Sequence, residues 1–293
     1  MDFLITIMEQ GLIYGILALG VYITYKILDF PDLTVDGSFP LGAAVTAAIL
    51  TRGGSPWLTL PVAFFAGALA GVLTGLIHVK GKVRDLLSGI IMMTALWSIN
   101  LYLAGTSNVP LFSQKTIFKN DLTARMFRGE LKSYGTLVII LVMAVICKLV
   151  LDWYLQTKSG YLLRAVGDND KLVTSLAKDQ GNVKILGLSI ANGLVALAGC
   201  VFAQEERVFE ISMGTGAIVI GLASVIIGTS LFRRLTLLRT TTVVLVGSII
   251  YKGCVALAIR HFSPSAMKLI TAVLFLIILV FSMERKAKGK KNA

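Results

Sequence analysis

The chain has 293 residues, 56% of them apolar and 15% charged, with a mean hydropathy of +0.81. A soluble domain of this length needs more charge to cover its surface, so a water-soluble fold is excluded. The net charge of +12 gathers at the ends of long apolar runs, where it orients a membrane protein and meets anionic headgroups. Nucleic acid is not needed to explain it.

A hydrocarbon core about 30 Å thick takes about 20 helical residues to cross. Backbone polar groups must be paired in lipid, which leaves helices or a closed barrel, and the period-two alternation of a barrel is absent. The expected fold is all-α, a polytopic membrane protein of about nine transmembrane helices forming a single transmembrane domain over 1–293. The spans fall at 3–25, 37–51, 57–78, 86–104, 134–151, 183–203, 214–232, 241–259 and 267–283. The first span lacks a positive n-region and a small-residue cleavage site, so it is expected to stay in the mature protein.

The first span carries Glu9. The stretch from Lys26 to Pro40 that follows holds Asp29, Asp32, Asp36 and two prolines between apolar runs. Asp36 is expected to cap the second helix rather than coordinate an ion, and that helix is short enough for a broken or re-entrant helix to stand as the alternative. His78 ends the third span as an ordinary interfacial residue.

The fourth span contains Met92, Met93, Thr94, Trp97, Ser98 and Asn100. Asn100 wants a partner there, either a neighbouring helix or a solute, and Trp97 and the methionines suit an adaptable pathway. Met93, Trp97 and Asn100, with Ser38, Met213 and Thr215 of two glycine-rich segments, are the candidate lining of a translocation pathway. The loop 105–133 is expected to include an amphipathic piece near 122–129.

In the fifth span Lys148 and Asp152 lie four apart and are expected to pair. The loop 156–182 is too polar to cross a bilayer and too patterned for a linker. It reads as a short helix from Gly160 to Val166 closed by Gly167, then a second helix capped by Asn169 or Asp170. It is either a docking surface for a cytoplasmic partner or a helix lying among headgroups.

Lys252 falls near the middle of the eighth span and should face protein or water. Cys147, Cys200 and Cys254 read as small buried hydrophobes. If the tail 284–293 is cytoplasmic, the inner loops and tail collect 18 lysines and arginines against 9 outside, and that bias fixes the orientation.

Laying residues 36–44 on 215–223 superimposes both glycines of each segment, and at that offset Gly20 falls on Gly199 and Phe30 on Phe209. The two copies, about 1–104 and 183–283, would then be inverted repeats, a device by which two halves rock around one site.

No catalytic residues are expected, for want of any paired acid and base, and no cofactor or metal. There is no Gly-x-x-x-x-Gly-Lys-Ser/Thr, so any ATPase that drives the protein is another chain.

The run Thr157-x-x-Gly160-x-x-x-Arg164-Ala165-x-Gly167-Asp168-Asn169 resembles the cytoplasmic coupling motif of ATP-binding-cassette importer permeases in the branched-chain amino acid and ribose permease superfamily. Leu33-Thr34-Val35-Asp36-Gly37-Ser38-Phe39 and Ile211-Ser212-Met213-Gly214-Thr215-Gly216 resemble a narrower group, the tryptophan/tyrosine-type permeases. The resemblance implies a bacterial plasma-membrane protein that forms a homodimer. It also implies a cytoplasmic ATP-binding subunit and an extracytoplasmic substrate-binding lipoprotein that delivers a small solute, an amino acid. Gly160–Asn169 would sit in a cleft of the ATPase, and spans one to four and six to nine would be the moving halves. The alternative is a stand-alone carrier or channel, against which weighs the presence of one clear buried carboxylate, Glu9.

Overall fold

The computed structural model describes residues 2–120, 123, 132–168, 180–232, 239–261, 269, 271–273 and 275–280. The chain is helical nearly throughout. α1 (Asp2–Val21) passes directly into a π-helical turn, Tyr22–Ile27. α2 (Val35–Thr51), α3 (Pro56–Val79) and α4 (Asp85–Ala104) follow. Pro56 at the first position of α3 has no N–H to leave unpaired, and Gly105 closes α4 in the left-handed region with φ +80°.

α5 (Lys132–Leu155) runs into the shorter α6 (Lys158–Asp168), and α7 (Gln180–Glu206) is the longest helix. A 3-10 turn, Ile211–Gly214, precedes α8 (Ala217–Leu231), and α9 (Thr240–His261) comes next. Residues 271–273 and 275–280 are helical within the expected ninth span.

Among the described residues seven helices are long and apolar enough to cross a membrane. α2, with 17 residues, is a shorter apolar helix, as its span length foretold. The amphipathic piece near 122–129, the second inner helix and the basic tail lie outside the described residues.

α1, α2 and α7 form the centre. The apolar windows of α1 and α7 are 67% buried, whereas that of α5 is 22% buried and shows Leu141, Val145 and Leu149 to the surroundings. In lipid such a face is solvated, so helices associate through close packing. Gly67, Gly71 and Gly75 make a stripe on α3 that lies on the backbone of α7 at Asn192, Leu188 and Ile185. A Cβ at Gly42 of α2 would meet the Ala196 carbonyl, and one at Gly199 of α7 would meet that of Phe39. α1 packs on α9 through Gly11 and Gly15, and Ser248 donates to the Gly11 carbonyl at 2.7 Å.

Two short strands the sequence did not announce, Asn108–Pro110 and Val208–Glu210, pair antiparallel with Val109 opposite Phe209. They bind the exit of α4 to the exit of α7 and mark one face of the bundle. α6 lies at the opposite face, where Gly167 rests on the Ile27 carbonyl at the end of the π-helical turn.

Candidate translocation site

The central feature is a junction of two broken helices. After the π-helical turn the chain bends at Asp29, a non-glycine residue with φ +51°, and reaches α2 only at Val35. α8 likewise starts at Ala217, after the 3-10 turn and Gly216 at φ +84°. The two starts meet. The Asp36 carboxylate accepts from the amide of Gly216 at 3.0 Å and from that of Ile218 at 2.8 Å. Asp36 was expected to cap its own helix. It caps α8 instead, because it already lies inside the first turn of α2 and the free amides within its reach belong to α8.

Helical rise places this junction in the bilayer. From Asp36 to Thr51, and from Ala217 to Leu231, each helix runs about 22 Å, toward opposite faces. The junction therefore lies near the midplane of a core about 30 Å thick. The ring of Pro40, inside α2, has no N–H for the Asp36 carbonyl four residues back, and Gly214 lies on that carbonyl. Ser212 and Thr215 of the irregular stretch are exposed, while Met213 is half-buried. Non-helical backbone at this depth is tolerated where it is buried in protein or lines a water-filled cavity.

A polar network secures the α2 side. Asn192, fully buried on α7, donates to Asp32 at 2.7 Å and to the Leu188 carbonyl at 3.1 Å, and it accepts from Ser38 at 2.7 Å. Asp32 also accepts from the Thr34 amide at 2.9 Å, and the Thr34 hydroxyl meets that of Thr74 at 2.9 Å. Asn192 gave the same signal as Asn100, an amide within an apolar span, and was not singled out.

The other sequence candidates fall nearby. Asn100 is fully buried on α4 and donates to the Gly37 carbonyl at 3.1 Å, the helix–helix bond that was one of its two readings. Met93 lies against Gly37 by its backbone, and Trp97, one turn further along α4, is 49% exposed. Ser38 is fully buried and Thr215 exposed. The six candidates thus cluster around the starts of α2 and α8 and the facing stretch of α4, but Ser38 and Asn100 are engaged within the protein.

At the α6 face the Thr157 motif has a local physical basis. The Thr157 hydroxyl accepts from the Gly160 amide at 3.2 Å and donates to the Tyr154 carbonyl at 2.7 Å, so it caps α6 while closing α5. Gly160 packs against the backbone of Tyr154 and Leu155. Gly167 does not close the helix as expected: it lies inside α6, which continues to Asp168, and its missing Cβ admits the Ile27 carbonyl. Leu163 and Val166 are buried, Ala165 is half-buried, and Arg164 and Asp168 are exposed. Asn169 lies outside the described residues.

Two lysines in the spans have partners within the bundle. Lys148 pairs with Asp152 at 2.9 Å, as spacing implied. The Lys252 ammonium lies 3.8 Å from the Tyr14 ring centroid and faces protein. Glu9 is joined by Asp32 and Asp152 as a buried carboxylate, so scarcity of such groups does not separate an importer from a carrier. Cys200 is buried and Cys147 half-buried, but Cys254 is exposed on α9 rather than in the core.

Comparison with known proteins adds the following. The family model described as "Branched-chain amino acid transport system / permease component" matches residues 3–281. The tyrosine transport system permease protein of Clostridioides difficile is 43% identical, over 100% of this chain and 96% of its own length. The probable branched-chain amino acid transport permease protein LivH of Methanocaldococcus jannaschii is 29% identical over 73% of this chain and 70% of its own. The ribose import permease protein RbsC of Haemophilus influenzae is 26% identical over 78% and 68%. Among solved structures, PsaBC from Streptococcus pneumoniae in complex with Fab aligns with TM-score 0.52 at 14% identity, over 93% of this chain and 89% of that one, a likeness of fold.

Proposed function

The chain belongs to the branched-chain amino acid transport system permease family, and on that premise we propose that it is the membrane-spanning subunit of an amino acid importer, with an aromatic amino acid such as tyrosine as cargo. It is a permease of the ATP-binding-cassette importer family and a multi-pass protein of the bacterial plasma membrane. The cargo reading draws on the tyrosine permease similar to it along its whole length. In this reading an extracytoplasmic binding lipoprotein delivers the solute, two copies of the chain enclose the route, and a separate cytoplasmic ATPase supplies the work.

One observation carries the mechanism. Two half-length helices start near the bilayer midplane, run to opposite faces and are joined by a single carboxylate. Exposed Ser212 and Thr215 at that depth are better accommodated by water than by lipid, so the stretch 211–216 lines the route. α2 and α8 then correspond as the broken helices of two inverted repeats, which supports a rocking motion around the junction. α6, with its exposed Arg164 and Asp168, is the surface that docks on the ATPase, together with Thr157, Ala165 and Asn169, while Gly160 and Gly167 seat the helix on the bundle.

Reconstitution into proteoliposomes with the cognate ATPase and binding lipoprotein tests this reading. Uptake of the aromatic amino acid should require ATP and both partners. Equal uptake by the chain alone, driven by an ion gradient, would establish a secondary carrier instead.

A further inference from the structure

α6 touches only part of the bundle, yet a rocking motion needs force delivered to both broken helices. Its direct contacts reach the end of α1 and the start of α7: Gly167 on Ile27, and Leu163 against Gly187. The first of these leads on to α8 only through side chains, Val21 and Leu17 of α1 lying against Gly221. A second route begins where α5 ends.

Only Gln156 and Thr157 separate α5 from α6, and this turn is tightly bonded. The Gln156 amide donates to the Trp153 carbonyl at 3.1 Å and the Thr157 amide to that of Tyr154 at 2.9 Å. Tyr154 and Ser159 join their hydroxyls across it at 3.0 Å. Displacement of α6 therefore displaces the last turn of α5.

That last turn holds Asp152, which is 5% exposed. One carboxylate oxygen accepts from the Thr241 hydroxyl at 2.6 Å, and the other lies 3.3 Å from the Arg239 guanidinium and 2.9 Å from the Lys148 ammonium. Gln156, turned so that its amide oxygen faces Arg239, accepts from that guanidinium at 3.1 Å. Arg239 and Thr241 flank the first residue of α9, whose helix dipole also favours a carboxylate there.

α9 is in turn locked to α8. A Cβ at Gly228 would meet the Val243 carbonyl, and one at Gly247 would meet the Ser224 carbonyl. Backbones this close slide poorly past one another, so α9 carries α8 with it.

We propose that Asp152 is a positioning residue for transport: it clamps α5 and α6 to the start of α9, so that movement of α6 reaches α8 and the Asp36 junction. This rests on the coupling role of α6 proposed above. Asp152 offsets the charge of the partly buried Lys148, while its contacts with Arg239 and Thr241 fix the α5–α9 distance. The surface-exposed Arg239 is the partner that is replaced without uncovering a buried charge, since Lys148 still faces Asp152.

The test has two arms, both using Arg239→Gln combined with Thr241→Ala, which leave Asp152 paired with Lys148. In the full-length permease alone, hydrogen exchange is compared by segment. Loss of the clamp should speed exchange about tenfold at the α5–α6 turn as well as at the start of α9. Change confined to α9 would overturn the clamp. In the complex with the ATPase, uptake should fall about tenfold while ATP hydrolysis stays near the wild-type rate. Uptake and hydrolysis both unchanged would overturn its role in transport. If the wild-type complex shows no ATP-linked uptake, the importer reading fails, while the exchange arm still decides the clamp.

Discussion

Replacing Asp36 with alanine removes the acceptor shared by the Gly216 and Ile218 amides, at 3.0 and 2.8 Å, and leaves the start of α8 without a side-chain cap, since Gly216 at the cap position provides none. A hydrogen bond to a charged group is worth about 1.5–3 kcal/mol, and a carboxylate at a helix N-terminus up to about 2 kcal/mol when partly buried. These contributions overlap, because one charge makes both. The expected loss is about 2–4 kcal/mol for Asp36→Ala and about half that for Asp36→Asn, which keeps one acceptor. Equilibrium unfolding of the purified protein in mixed micelles, followed by circular dichroism across a denaturing-detergent titration, measures it. Asp36→Ala and Asp36→Asn should also abolish uptake more completely than they reduce stability, because the junction is where the halves meet. If Asp36→Ala unfolds within about 0.5 kcal/mol of the wild type, the carboxylate is not holding the two helices together.

Three further substitutions probe other links. Arg164→Glu, on the exposed side of α6, should leave the melting temperature unchanged but separate ATP hydrolysis from uptake in the reconstituted complex; normal coupling would dismiss α6 as the docking surface. Asn192→Ala leaves Asp32 and Ser38 without the amide between them and should cost about 2–4 kcal/mol by the same unfolding assay, whereas a cost near zero would mean the network is relieved by water. Gly71→Val drives a side chain into the Leu188 carbonyl of α7 and should cost about 2–3 kcal/mol, visible as a broadened size-exclusion profile and a lowered melting temperature.

The spans were legible because lipid imposes two requirements at once, apolar side chains and internally paired backbone, and about 20 consecutive residues satisfy both. Even the shortness of α2 was visible in the length of its apolar run. The partner of Asp36 was not, since its two amides lie 180 and 182 residues away and backbone amides leave no mark in sequence. The two three-residue strands were hidden for a similar reason: Asn108–Pro110 is too short to show alternation. Gly167 was misread because a glycine near the end of an apolar pattern suggests a helix terminus, and only the approach of Ile27 reveals that it sits inside the helix. Lys148 and Asp152, by contrast, found each other through a spacing of four, which helix geometry alone dictates.

Water accessibility at the junction is the most direct test of how the solute crosses. With Cys147 and Cys254 replaced by serine and buried Cys200 retained, Thr215→Cys is introduced and the protein is exposed in sealed vesicles to a membrane-impermeant thiol reagent. Labelling at Thr215→Cys that changes when the ATPase binds ATP is the predicted result. A cysteine there that reacts only with lipid-soluble reagents, in every nucleotide state, would place the junction against lipid and contradict a solute path between the broken helices.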